Sequence, residues 1–204
     1  MKLGILGGTF DPIHLGHMAA AEAALSTLSL DRILFIPAGD PWLKAGTEIS
    51  PGAHRLAMVR AAIAGYAAYE SSTMELERAG PTYTEETLAE LQEAHGPEAE
   101  LHFILGADAV RDLPRWHAPA DVLARCTLVV MGRPAQGELD LAVLDGILPG
   151  SAARAVTVDL DMRVSATEIR RRAAAGESLA GLVPEDVERY IVEHGLYVEY
   201  KERQ

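Results

Sequence analysis

The first eighteen residues, Met1-Lys-Leu-Gly-Ile-Leu-Gly-Gly-Thr-Phe-Asp-Pro-Ile-His-Leu-Gly-His-Met18, constrain this chain more than any other stretch. Lys2 to Leu6 reads as a short apolar strand, and Gly7-Gly8 ends it with a turn open to backbone angles other residues resist. Pro12 fixes its own φ and biases Asp11 away from helix. From about His14 the alanine-rich run is strongly helix-forming. A strand, a glycine turn and a helix therefore follow one another, and His14 and His17, three residues apart, share a face of the helix start. Such a start offers unpaired N–H groups and partial positive charge. Two imidazoles and glycines that let the backbone come close complete a seat for phosphates. Neither G-x-G-x-x-G nor G-x-x-x-x-G-K-[ST] occurs, which disfavours an ordinary dinucleotide fingerprint or phosphate loop.

Strand and helix signals alternate along the rest of the chain. Arg32–Ile36 is an apolar run of buried-strand length, and Ser50-Pro51 opens a helix through Ile63, with serine as cap and proline at the first helical position. A weaker strand is expected over Tyr69–Leu76. Thr82 and Glu85 have capping-box spacing, predicting a helix to about His95. Further strands are expected at Leu101–Leu105, Thr127–Met131 and Ala155–Val158. Short helices are expected over Ala107–Leu113 and Pro119–Ala124, with an amphipathic stretch between Ala135 and Gly150. Helices open again at Ser165-Ala-Thr-Glu168, a second capping box, and near Pro184. The pattern predicts an α/β fold: a Rossmann-like, doubly wound parallel sheet with helices on both faces and C-terminal helices. Ligands in such sheets bind beyond the carboxyl ends of the strands, so the loops after the strands should gather at one rim.

At 204 residues, half of them hydrophobic, the chain can build one large core. A net charge of −12 argues against a general nucleic-acid or membrane-surface binder, so a polyanion site must be a local pocket, suited to metal-bound ATP. The single cysteine, Cys126, can make no intramolecular disulfide; its apolar context predicts a buried, inert thiol. With no signal peptide and no apolar run of membrane-span length, the expected setting is cytoplasmic. A homo-oligomer is left open.

Val164-Ser-Ala-Thr-Glu-Ile-Arg170 is the second candidate anchor. A helix start supplies N–H groups, Ser165 and Thr167 supply hydroxyls, and Arg170 supplies a fixed charge with a planar fork, all suited to a triphosphate tail. Arg171 and Arg172 read as solvated surface. Gly106-Ala-Asp108, after a strand, suits a ribose: the glycine permits approach and the carboxylate accepts hydroxyl bonds. Trp116 offers a flat aromatic face, and the helix start near Thr84 offers N–H donors and partial positive charge.

Gly7 to His17 and Val164 to Arg170 resemble the two signatures of the H-x-G-H nucleotidyltransferases. Over nearly its whole length the chain resembles the bacterial nicotinate-mononucleotide adenylyltransferases. Ile36 to Lys44, Pro81 to Leu88, Gly106 to Asp108, Trp116 and the closing Glu193-His-Gly-Leu-Tyr197 carry this likeness. It implies one nucleotidyltransferase domain over 1–204, with ATP and nicotinate mononucleotide as substrates and Mg²⁺ held by the nucleotide rather than by protein ligands. It implies catalytic roles for His14, His17, Lys44 and Arg170. ATP would meet Gly8, Thr9, Phe10, His14, His17, Gly106, Asp108, Arg133, Ser165, Thr167 and Arg170. Nicotinate mononucleotide would meet Asp11, Lys44, Tyr83, Thr84, Trp116 and His117. One departure stands out: many members have Pro-Pro-His-Lys where this chain has Pro41-Trp-Leu-Lys44, so no role carries over to Leu43. The rival readings are adenylyl transfer to nicotinamide mononucleotide or pantetheine phosphate, and a non-catalytic ATP sensor.

Overall fold

The computed structural model describes residues 1–40, 49–132, 140–160 and 164–198. Six strands form one fully parallel sheet: β1 (Lys2–Gly8), β2 (Arg32–Pro37), β3 (Tyr69–Ser71), β4 (Glu100–Gly106), β5 (Thr127–Gly132) and β6 (Val156–Asp159). Their order is β3-β2-β1-β4-β5-β6. The chain winds outward from β1 to one edge, then returns to build the other half. A crevice therefore opens at the carboxyl ends of β1 and β4, where the winding reverses.

Side-chain alternation on these strands builds two cores. Ile33 and Phe35 of β2, Ile104 of β4, and Val129 and Met131 of β5 face one layer. That layer holds α1 (Leu15–Leu28), α2 (Gly52–Ile63), α9 (Ala166–Ala174) and α10 (Glu185–Glu193). Leu34 and Ile36, Leu101, Phe103 and Leu105, and Leu128 and Val130 face the other. There the sheet meets α4 (Thr84–His95), α5 (Ala107–Asp112), α6 (Pro119–Arg125) and α7 (Ala142–Ile147), with a 3₁₀ turn at Leu113–Arg115. Two short turns, α3 (Met74–Glu77) and α8 (Ser151–Arg154), complete the helices among the described residues. Period-two burial on both faces is why these strands read as unbroken apolar runs.

Several local expectations are corrected. The strand from Tyr69 ends at Ser71, and the chain turns into α3, which carries a half-buried Glu75. Pro51, not Ser50, caps α2, because the Ser50 N–H is drawn to Asp11 Oδ2 at 3.1 Å. Neither capping box forms. Tyr83 precedes α4, with Glu85 turned to His117, and Glu168 in α9 pairs with Arg171 and Arg172. In each case another side chain takes the carboxylate in place of a backbone N–H. Arg171 and Arg172 lie on that exposed surface, as expected.

Candidate active site

β1 delivers its loop into the crevice. Phe10 takes a left-handed backbone (φ 49°) and buries its ring against Phe35, with the His17 ring edge-on at 5.0 Å. His14 is the N-cap of α1 and His17 lies in its first turn. Their rings stack at 3.7 Å with 20° between planes. The intervening Gly16 is required by this closeness: a Cβ there would lie 3.0 Å from His14 Nδ1.

The two imidazoles differ in environment. The backbone N–H of His14 donates to His17 Nδ1 at 3.2 Å. An accepting Nδ1 leaves the ring proton of a neutral His17 on Nε2, a donor directed away from the helix backbone. His14 is buried and its Nδ1 has no hydrogen-bond partner among the described residues. Burial lowers its pKa to about 4, only partly opposed by a backbone hydrogen bond, so it is neutral at physiological pH.

The second anchor reaches the first. Arg170 of α9 donates through NH1 to the Asp11 carbonyl at 2.6 Å and through NH2 to Thr167 Oγ1 at 3.4 Å. Val164 lies beside Gly16. Segments separated by about 150 residues of sequence thus meet at the rim. Ser165 is exposed at the start of α9.

Beside this grip lies a pocket of about 210 Å³ at the β1–β4 reversal. Gly7, Gly8 and Thr9 form one side, with Tyr83, Thr84, Trp116 and His117 opposite. Tyr83 and His117 stack at 4.3 Å, and Glu85 holds His117 through Nδ1 at 2.8 Å. Trp116 stands edge-on to Phe103 at 6.0 Å. Its buried Nε1–H has no acceptor among the described residues. Thr84 begins α4, so this helix brings its unpaired N–H groups to the pocket wall.

Two of the expected residues are held by protein partners, and two more lie outside the described residues. Asp11, expected to meet the acceptor, is buried, and its carboxylate is held within the protein: Tyr197 Oη donates to Oδ1 at 2.7 Å and Ser50 N–H to Oδ2. A buried carboxylate needs such donors, and the protein supplies them. Asp108, after Gly106 at the end of β4, has an almost fully exposed side chain paired with Arg111 at 2.9 Å. Lys44 and Arg133 lie outside the described residues, as does the Pro41-to-Lys44 departure.

Other residues were not legible as site residues. Glu75 lines the pocket and accepts from Thr87 Oγ1 at 2.8 Å, from Thr82 and from the Gly39 backbone. Burial nonetheless pushes its carboxyl up from the ordinary value. Arg55 of α2 donates to the Thr9 carbonyl at 2.8 Å and the Ser50 carbonyl at 2.9 Å. No spacing in the sequence signals either, because their partners are remote in the chain.

A stacked histidine pair at a helix start, with a pocket beside it at the reversal of a parallel sheet, is the arrangement of an α/β nucleotidyltransferase of the H-x-G-H type. Accordingly, the cytidylyltransferase-like family model matches residues 5–172. A protein of Dehalococcoides mccartyi named "Probable nicotinate-nucleotide adenylyltransferase" is 44% identical over 198 residues, covering 97% of each chain. A Roseiflexus protein of the same name is also 44% identical over 198 residues, covering 96% of this chain and 97% of its own. Among solved structures, Plasmodium falciparum nicotinic acid mononucleotide adenylyltransferase complexed with NaAD superposes with a TM-score of 0.78 at 19% identity. The match covers 98% of this chain and 99% of that one. The same protein complexed with APC gives 0.77 at 18% identity, with the same coverage, which bears on the fold alone. The chain belongs to the nicotinate-nucleotide adenylyltransferases of the cytidylyltransferase-like family.

Proposed function

We propose that the chain, acting as one catalytic domain over 1–204, transfers the adenylyl group of ATP to nicotinate mononucleotide, giving deamido-NAD and pyrophosphate. The observation that carries this reading is the shared rim: the His14–His17 grip and the Tyr83–Thr84–Trp116–His117 pocket flank one Gly7-Gly8-Thr9 loop. A donor phosphate and an acceptor ring seated there would bring their phosphates together.

The acceptor phosphate attacks the α-phosphorus in line. A bond forms between its oxygen and that phosphorus, and the bond to the β-phosphate oxygen breaks, with pyrophosphate carrying the electron pair away. A phosphate monoester has its second pKa at about 6, so no general base is needed near pH 7. Catalysis is then positioning and charge stabilisation. His17 donates from Nε2 to the α-phosphate, because its Nδ1 is occupied by the His14 N–H. Neutral His14 lies alongside as a second donor. Ser165, Thr167 and Arg170 meet the departing phosphates, Gly8, Thr9 and Phe10 shape the loop beneath them, and Gly106 and Asp108 face the ribose. Lys44 and Arg133 keep the roles their resemblance gives them. Mg²⁺ enters as part of the ATP substrate. Among the described residues, no helix is long and apolar enough to cross a membrane, and a cytoplasmic setting accords with the lone cysteine.

Acceptor choice rests on the α4 start, whose N–H groups and dipole favour a carboxylate, and on the Trp116 face, worth roughly 0.5–2 kcal/mol to a pyridinium. Pyrophosphate release over a panel of acceptors tests the reading. Nicotinate mononucleotide should give the highest kcat/KM, and equal values for the nicotinamide form would refute the carboxylate argument.

A further inference from the structure

Tyr197 stands 186 residues beyond Asp11, yet its hydroxyl donates to Asp11 Oδ1 at 2.7 Å. To reach it, the chain turns back after α10 through Gly195 (φ 57°) and places Tyr197 itself at φ 69°. A left-handed backbone is uncommon for a bulky aromatic and persists only where its surroundings enforce it. The ring packs on the core beside Met58 of α2.

Asp11 is also the point where the other ties to this loop converge. Its second oxygen takes the Ser50 N–H, and its carbonyl takes Arg170 at 2.6 Å. Two residues earlier the Thr9 carbonyl takes Arg55, which also grips Ser50. Three distant segments therefore hold Thr9–Asp11 immediately before His14. What this loop sets is fine: the His14 N–H reaches His17 Nδ1 at 3.2 Å, the long end of the ordinary N–H donor range. A displacement that breaks this contact removes its hold on the His17 tautomer.

We propose that Tyr197 is a positioning residue for catalysis: through Asp11 it holds the β1–α1 loop so that His17 keeps Nδ1 as acceptor and presents Nε2–H to the reacting phosphate. This rests on the adenylyl-transfer reading above. The phenol acts through Asp11, which is not among the lining residues of the acceptor pocket, so its effect falls on kcat rather than on substrate binding.

The test is Tyr197→Phe in the full chain, which keeps the ring and removes the donor. Two readouts are taken well below the melting temperature: steady-state pyrophosphate release, and the ¹⁵N resonances of the His17 ring. Expected are a fall in kcat of roughly tenfold, short of the 10²-fold cost of a 1 Å misplacement, and KM values within twofold of wild type. The His17 resonances should move from a single Nε2–H tautomer toward an average. A kcat within twofold of wild type overturns the proposal, and so does a lower kcat with unchanged His17 resonances. Should Tyr197→Phe not fold, Asp11→Ala, which removes the oxygen that accepts the phenol, is read by the same two criteria. Wild-type protein that releases no pyrophosphate with any acceptor would instead fail the activity reading itself, a result distinct from an active wild type and an unaffected variant.

Discussion

Replacing His14 by Asn should flatten the acid limb of the stability curve. The native fold holds the His14 imidazole at a pKa of about 4, chiefly by burial, against 6.5 in the unfolded chain. A depressed folded value means the unfolded chain binds the proton first. The stability at stake is therefore present in full above pH 6.5 and is lost as pH falls toward 4. At 1.36 kcal/mol per pH unit the loss approaches about 3 kcal/mol, of which about 2 kcal/mol is gone by pH 5. Asparagine is a favourable N-cap, so α1 keeps a sound start, and asparagine does not titrate here. Urea unfolding of wild type and variant at pH 7, 6 and 5, without nucleotide, isolates the effect, because other titrating groups are shared by both. With an m-value of about 2 kcal/mol/M, wild type should lose about 1 M more in midpoint than the variant between pH 7 and 5. Parallel losses would show that His14 is not held neutral by burial.

His17→Ala should lower kcat by about 10²–10³-fold, the cost of one lost charge-stabilising donor; a loss under threefold in folded protein would contradict its assigned role. Gly39→Ala should destabilise by about 1–3 kcal/mol in urea unfolding, since its Cβ would lie 2.1 Å from the Glu75 carbonyl oxygen, and backbone cannot swing aside. Cys126, half-buried with its Sγ on the Val122 carbonyl, has its thiol pushed up to about 12 by burial. It should react with a thiol reagent at pH 8 only after denaturant is added, and rapid native labelling would contradict this.

The strand-turn-helix of residues 2–28, the parallel sheet and the two helix-start motifs at His14 and Ser165 were written into the sequence by local physics. Apolar runs, glycine turns and helix-forming stretches act over a few residues, so their signals survive without knowledge of the fold. The acceptor wall was half legible. Thr84 and Trp116 could be picked out by chemical type, but the Glu85–His117 tie could not, and Glu85 looked like a capping partner. Only the tertiary structure decided that the Asp11 carboxylate is held by Tyr197 and Ser50, that Glu75 lies half-buried on a turn, and that Tyr197 returns to the first loop. Each of these depends on a charged or hydroxyl group being removed from water, where it must find a partner. Which partner lies within reach is fixed by how distant segments pack, and no spacing along the chain encodes that choice.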